Sequence, residues 1–174
     1  MNRRKGLIHL YVGTGKGKTT AALGVGLRAN GAGLQVEMVQ FMKGDQSNEK
    51  KAIKHLPHFS INSFGRFTFL TANHHEPIDE TLAHNGLNHA KKIIKNNTCD
   101  ILILDEITIA VSFQLLKKED VIEILKQKPH DMTIILTGRI ADDEFISIAD
   151  LVTEMNEIKH PFQYGESAQE GIDY

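Results

Sequence analysis

Residues 13–20 form a glycine-rich segment, Gly-Thr-Gly-Lys-Gly-Lys-Thr-Thr, between a strand-like and a helix-like sequence. An apolar run at residues 7–12 precedes the segment, and the helix-like residues 21–25 follow it. Glycines permit left-handed backbone angles, so consecutive N–H groups can converge on an anion, while the helix N-terminus adds a partial positive charge. The order of strand, glycine loop and helix therefore predicts a phosphate-binding loop.

The spacing of this loop differs from the usual Walker A pattern. That pattern has four residues between its first glycine and its Gly-Lys pair, whereas Gly13 and Gly17 enclose three. We expect Lys18 to reach a phosphate oxygen and Thr19 to ligate Mg²⁺, with the shorter loop holding the phosphates somewhat differently. A glycine-rich turn without a ligand is the alternative, which the strand-to-helix context disfavours. The candidate nucleotide-binding residues are Gly13, Thr14, Gly15, Lys16, Gly17, Lys18, Thr19 and Thr20.

A second motif lies at residues 100–106, where a run of apolar residues ends in Asp105 and Glu106. Such a run is typical of a strand buried on both faces, and the acidic pair falls where its C-terminal end meets solvent. Carboxylates there can hold Mg²⁺ directly or through water. Many parallel strands end in an acidic residue, so the motif alone is only moderately specific. Its occurrence together with the glycine loop makes a nucleotide site a much stronger prediction.

Strand and helix patterns alternate along the rest of the chain. Further strands are predicted at residues 35–41, 59–64, 132–137 and 151–155, and helices at residues 19–30, 48–56, 77–95, 118–128 and 142–149. This alternation predicts an α/β fold of the P-loop NTPase (RecA-like) type, a mostly parallel sheet with helices on both faces, in one domain spanning residues 1–174. Arg139 follows a predicted strand end, which favours a triphosphate contact over a solvated loop residue.

Phenylalanines crowd a stretch without clear periodicity. Phe64, Phe67 and Phe69 are three of the eight in the chain. For any one of them, a core position under a loop is the ordinary interpretation. Their clustering suggests instead a hydrophobic wall for a large flat ligand. The nine histidines lack the spacing that places two imidazoles on one helical face, and they predict no metal site.

Composition limits the classes of partner and compartment. Twenty basic and 22 acidic residues leave a net charge of −2, which gives no global electrostatic case for binding nucleic acid or an anionic membrane. The single cysteine, Cys99, excludes an intramolecular disulfide. The chain has neither a secretory h-region nor an apolar run near 18 residues, so we expect a cytoplasmic protein.

The sequence resembles the P-loop type ATP:cob(I)alamin (corrinoid) adenosyltransferases over nearly its whole length. The resemblance rests on residues 13–20, 39–44, 104–107, 136–139, 149–155, 159–162 and 171–174. The shortened loop and the closing tail are its specific parts, because a generic kinase or ATPase would not be expected to share them. It implies that Co(I) of a reduced corrinoid attacks C5′ of ATP, which releases triphosphate and forms adenosylcobalamin or an adenosylated cobamide precursor.

The resemblance also implies residue roles and partners. Thr19 and Glu106 are similar to the Mg²⁺-side residues of the family, with Asp105 in support, and Lys18 would stabilise the leaving triphosphate. Phe67 and Phe69 resemble the aromatic pair that displaces the lower axial ligand of the corrinoid. The candidate catalytic residues are thus Lys18, Glu106, Phe67 and Phe69. Family members are commonly homodimers, and an electron-donating flavoprotein fits as a further partner.

Two other functions remain open from the residues alone. In a P-loop phosphotransferase or NTPase, Asp105 and Glu106 would position water or an acceptor for γ-phosphate transfer. In a non-catalytic ATP-sensing module, the loops would close on a partner protein. The shortened loop counts against the first function, and the aromatic stretch together with Arg139 counts against the second.

Overall fold

The computed structural model describes residues 5–44, 47–66 and 75–173. The strands of this part of the chain are β1 (Ile8–Val12), β2 (Val36–Phe41), β3 (Phe59–Phe64), β4 (Ile101–Asp105), β5 (Thr133–Thr137) and β6 (Leu151–Glu154). Its α-helices are α1 (Lys18–Gly31), α2 (Asn48–Ile53), α3 (Pro77–Asn96), α4 (Ile107–Ser112), α5 (Lys118–Lys126) and α6 (Asp143–Ile148). A short 3₁₀ helix, Pro161–Tyr164, lies in the C-terminal segment.

The six strands form one sheet in the order β3-β2-β4-β5-β1-β6, and every neighbouring pair is parallel. All five residues of the central strand β4 are buried, because helices cover both faces of the sheet. The predicted α/β architecture with a parallel sheet is therefore confirmed. The weakly patterned residues 59–64 do form a strand, at one edge of the sheet, and the exposed strand β6 forms the other edge.

Two hydrophobic clusters lie on opposite sides of the sheet. The larger one joins the sheet to α3, α4, α5 and α6, with Leu87, Ile107, Leu125 and Phe145 among its buried side chains. The smaller one packs α1 and α2 against the sheet and includes Ala22, Ile53 and Phe59. The phosphate-loop helix α1 and the helices after β4 therefore lie on opposite faces of the sheet.

Helix α4 was not predicted, and its origin is visible at Glu106. This residue adopts a left-handed conformation with φ of 63°, which turns the chain sharply after β4. The apolar residues that follow then begin a helix and bury Ile107 and Ala110. A run of β-branched residues without helical periodicity gives no sequence signal for such a turn.

The buried face of α3 contains several small residues. Leu87, Ala90 and Ile94 are buried, whereas Leu82 is only half-buried. Ala83 and Gly86 are buried on the same face. A Cβ on Gly86 would approach the ring of Phe41 to 2.9 Å, so a small residue is needed for the helix to pack this closely.

None of the helices in the described parts of the chain is long and apolar enough to span a membrane.

Candidate active site

The glycine loop joins β1 to α1 and lies against the end of β6. Gly13 and Gly17 have φ of 109° and 114°, in the left-handed region that glycine tolerates. The N–H of Gly15 donates to the carbonyl oxygen of Met155 at 2.7 Å, and a Cβ on Gly13 would clash with that same carbonyl. The short loop is thus shaped by close backbone contact with the chain after β6.

Lys18 opens α1 with its side chain buried beneath the loop. Its Nζ donates to the carbonyl oxygen of Gly15 at 2.6 Å. Burial lowers the pKa of this ammonium, while the nearby carboxylates of Glu106 and Asp105 oppose the shift. The lysine is therefore a cation held inside the loop and electrostatically linked to the acidic pair.

Asp105 is the meeting point of the site, with a fully buried carboxylate. Its Oδ1 accepts hydrogen bonds from Oγ1 of Thr19 at 2.8 Å and from Oγ1 of Thr137 at 2.7 Å. Its Oδ2 accepts one from Nζ of Lys43 at 2.7 Å. The register explains this convergence, because Asp105 ends β4 beside β2 and β5, and Thr19 begins the helix that follows β1.

Glu106 stands one residue beyond the strand end, and its N–H donates to Oγ1 of Thr137 at 2.9 Å. Its Oε2 is buried and has no hydrogen-bond partner among the described residues. Burial and the neighbouring carboxylate of Asp105 raise the pKa of Glu106, against the opposing charges of Lys43 and Lys18. A buried carboxylate oxygen in this position is suited to accept a cation.

These donors fit Mg²⁺. The hydroxyl of Thr19 and the carboxylates of Asp105 and Glu106 are hard oxygen ligands, and Glu106 Oε2 is left unsatisfied by the described protein groups. Within residues 5–44, 47–66 and 75–173, no group of three or more His, Cys, Asp or Glu side chains could hold a metal ion by itself. A site that takes a few protein oxygens and completes its shell with phosphate and water matches the usual preference of Mg²⁺.

The remaining predicted residues fall into two groups. Thr14, Lys16, Thr20 and Arg139 are exposed at this edge of the sheet. The backbone carbonyl of Arg139 accepts the N–H of Gly13 at 3.1 Å, which places this residue beside the loop. Phe67 and Phe69 lie outside the described residues.

The C-terminal segment reaches back to the glycine loop. The ammonium of Lys16 forms an ion pair with the carboxylate of Asp173. Between the loop and this segment lies a cavity of about 320 Å³, with Lys16, Lys159, Phe162 and Ile172 in its wall. The closing tail, a specific part of the sequence resemblance, is thus adjacent to the predicted phosphate site.

Sequence reasoning assigned no role to three side chains of the site. Lys43 and Thr137 bind Asp105 directly, and Gln40 Nε2 lies 3.4 Å from Asp105 Oδ2. All three stand at or just beyond the C-terminal end of a strand. That position was the available signal, because parallel strands place their C-terminal ends at one edge of the sheet.

Comparisons with known proteins show which family the chain resembles. The family model described as "ATP:corrinoid adenosyltransferase BtuR/CobO/CobP" matches residues 4–174. A corrinoid adenosyltransferase of Escherichia coli strain K12 is 38% identical over 172 residues, which cover 98% of this chain and 86% of the relative. The corrinoid adenosyltransferase CobA of Salmonella typhimurium is 37% identical with the same coverage.

The solved structure of a KaiC-like protein from Pyrococcus horikoshii shares the fold, with a TM-score of 0.58. The match covers 87% of this chain and 73% of that one, at 16% identity, so it bears on architecture alone. The family match spans the glycine loop, the acidic strand end and the C-terminal tail together. The chain therefore belongs to the ATP:corrinoid adenosyltransferase family.

Proposed function

We propose that this chain transfers the 5′-deoxyadenosyl group of ATP to the Co(I) centre of a reduced corrinoid. The electron pair of Co(I) forms the bond to C5′, the bond between C5′ and O5′ breaks, and triphosphate leaves with that bonding pair. The product is adenosylcobalamin or an adenosylated cobamide precursor. Family membership supports ATP-dependent adenosylation of corrinoids. Among this chain's own residues, the shortened phosphate loop is the main support for the proposal.

In this reaction the glycine loop stabilises a leaving group. Negative charge grows on the triphosphate as the bond to C5′ breaks, so fixed cations and N–H donors lower the barrier. We assign this role to Lys18, and the hydrogen bond from its Nζ to the carbonyl oxygen of Gly15 within the loop supports the assignment. Arg139, exposed beside the loop, is the second cation that we assign to the triphosphate.

We assign the Mg²⁺ side of the site to Thr19 and Glu106, with Asp105 as the group that orients Thr19. The hydrogen bond from Thr19 Oγ1 to Asp105 Oδ1 and the unsatisfied Oε2 of Glu106 support this assignment. When bound, the ion would neutralise charge on the triphosphate. The protein's part is to hold these oxygens in place at the buried end of β4.

Phe67 and Phe69 are proposed to exclude the lower axial ligand of the corrinoid, as the sequence resemblance implies. Four-coordinate Co(II) is easier to reduce, so an apolar wedge raises its potential into the cellular range. Replacing both residues with alanine should reduce the rate from Co(II) with a physiological reductant far more than the rate from preformed Co(I). Stopped-flow or absorbance assays from both starting states measure the difference, and equal losses would reject the role.

Three features of the working enzyme are proposed with it. Residues 1–174 act as one domain, which the single continuous sheet supports. The enzyme works as a homodimer in the cytoplasm, as the resemblance to the family suggests. An electron-donating flavoprotein supplies the reduced corrinoid.

Product identification tests the function against its two alternatives. The protein is incubated with MgATP, with and without a chemically reduced corrinoid, and the products are separated. Adenosylated corrinoid together with triphosphate is the expected result. Formation of ADP without any dependence on corrinoid would instead indicate a phosphotransferase or NTPase, and ATP binding without turnover would indicate a sensing module.

A further inference from the structure

Lys43 lies beside the buried carboxylate of Asp105. It follows β2 at the ligand edge of the sheet, and its Nζ is 2.7 Å from Oδ2 of Asp105 and 3.4 Å from Oγ1 of Thr19. The same ammonium therefore contacts two residues assigned to the Mg²⁺ side of the site.

Lys43 is the cation that hydrogen-bonds to the Asp105 carboxylate, whereas Lys18 acts on it through its charge. Asp105 is fully buried, and the other donors at its carboxylate are the neutral groups of Thr19, Thr137 and Gln40. A buried carboxylate without a nearby cation is costly.

The side chain of Lys43 is partly open to solvent, which leaves it room to turn away from Asp105. It remains 32% exposed, whereas its partner Asp105 is fully enclosed. A lysine ammonium is a compact charge on a flexible four-carbon stem, so it can turn away without moving the backbone. The acidic strand end is enclosed, whereas the cation paired with it is partly exposed at the end of a flexible side chain.

We propose that Lys43 is an internal substitute for the divalent cation in the nucleotide-free enzyme. Its ammonium occupies the acidic site until Mg²⁺ arrives together with ATP, and it then turns toward the triphosphate. Free Mg²⁺ must compete with a built-in cation, whereas the MgATP complex provides a new anionic partner for the displaced ammonium. The enzyme thus binds the metal well only with its nucleotide. This inference rests on the proposed metal site of the adenosyltransferase.

Metal binding without nucleotide tests the inference directly. Mn²⁺ serves as the probe, because electron paramagnetic resonance counts the free ion. Wild-type protein should bind it weakly, and Lys43→Met should bind it about tenfold more tightly, a difference of about 1.4 kcal/mol. Lys43→Gln should show the same direction, which keeps the test valid if the methionine variant folds poorly. Added Mn²⁺ should also raise the melting temperature of Lys43→Met more than that of the wild type.

Matched variants locate the effect. Lys43→Arg keeps the charge and should retain weak binding, and Lys54→Met removes an exposed lysine of the same half of the chain and should change nothing. The double variant Lys43→Met with Asp105→Asn should lose the gained affinity, because the gain requires the Asp105 carboxylate.

Two results would overturn the inference, and they differ in their meaning for the function. Equal Mn²⁺ affinity of wild type and both neutral Lys43 variants, in a protein that binds Mn²⁺ with ATP, would remove the role of Lys43 alone. Failure of the wild type to bind Mn²⁺ even with ATP would remove the proposed metal site and this inference together.

Discussion

The acidic residues of the site show how neighbouring side chains acquire different chemistry. Asp105 is surrounded by donors, with two hydroxyls on Oδ1 and the Lys43 ammonium on Oδ2. Glu106, one residue later, is buried and lies near the charge of Asp105, and both effects raise the pKa of its carboxyl. Asp105 is thus a fixed organising anion, while Glu106 retains capacity for a ligand. The left-handed backbone at Glu106 separates the two residues structurally, since Asp105 ends β4 and Glu106 caps α4.

Asp79 provides a residue-level test of electrostatics outside the site. Its carboxylate accepts hydrogen bonds from Nε of Arg66 at 2.8 Å, from Nη2 of Arg66 at 2.7 Å and from the N–H of Glu76 at 2.8 Å. The Arg66 hydrogen bonds lower the pKa of Asp79 despite its burial. Asp79→Asn should therefore reduce the free energy of unfolding by about 1–3 kcal/mol at pH 7.

The pH dependence of this loss has a definite sign. A carboxyl with a lowered pKa stabilises the fold above its unfolded-state pKa, and that contribution disappears as pH falls through the folded-state value. The gap between wild type and Asp79→Asn should therefore narrow below about pH 4. Urea unfolding across this range measures it, with Glu80→Gln on the exposed side of the same turn as the control. A gap that stays constant with pH would contradict the electrostatic explanation.

Single residues also show where sequence reasoning stopped. The motifs predicted Lys18, Thr19, Asp105 and Glu106 at one edge of the sheet, and the structure brings them together. The ion pair between Lys43 and Asp105 joins positions 62 residues apart. The position of Lys43 just after a predicted strand indicates the edge of the sheet on which it lies, but only the register of β2 beside β4 shows that Asp105 is its partner.

Helix α1 offers a test at the level of elements, because two of its glycines have opposite surroundings. A Cβ on Gly26 would lie 2.7 Å from the ring of Phe59, whereas one on Gly24 would meet nothing within 4 Å. Gly26→Ala should lower the free energy of unfolding by about 1–3 kcal/mol through overpacking. Gly24→Ala should raise it by about 0.5–1 kcal/mol, since alanine favours the helix.

Chemical denaturation of the two variants measures this contrast. Because both substitutions are the same and lie in the same helix, helix propensity cancels in the comparison. Equal stability changes for Gly24→Ala and Gly26→Ala would mean that α1 does not pack on Phe59 as described.

Elements were predictable where pattern and packing agree. The long helix α3 has capping residues and clear periodicity, and the apolar strands β4 and β5 are almost entirely buried, so their positions followed from sequence. The sequence signal for strand β3 was weak because an edge strand needs little apolar alternation. Helix α4 was missed because a backbone turn at Glu106 creates it, and short-range periodicity does not encode that turn.

At the scale of the whole molecule, β6 and the segment after it have separate roles. Strand β6 pairs with β1, and the carbonyl of Met155 just beyond it accepts the N–H of Gly15. Residues 158–173 contain no buried side chain and meet the loop through the ion pair of Lys16 and Asp173. The strand and its end therefore support the phosphate loop, while the later residues cover it.

Two truncations separate these roles. A chain ending at residue 157 should keep its cooperative unfolding, with a free energy within about 1 kcal/mol of the full chain, because residues 158–173 contain no buried side chain. A chain ending at residue 148 loses β6 and the support of Gly15, and it should be clearly less stable. Urea unfolding monitored by circular dichroism measures both. Similar stability of the two truncated chains would contradict the role of β6.

The central claim concerns which bond of ATP is broken at this loop. ATP with a heavy-oxygen label at the atom bridging C5′ and the α-phosphorus distinguishes the cases by mass spectrometry of the products formed with a reduced corrinoid. Attack at C5′ predicts that the label leaves in intact triphosphate and that the adenosyl group appears on cobalt. Label retained on the nucleoside side, with ADP and phosphate as products, would show cleavage at phosphorus and contradict the account.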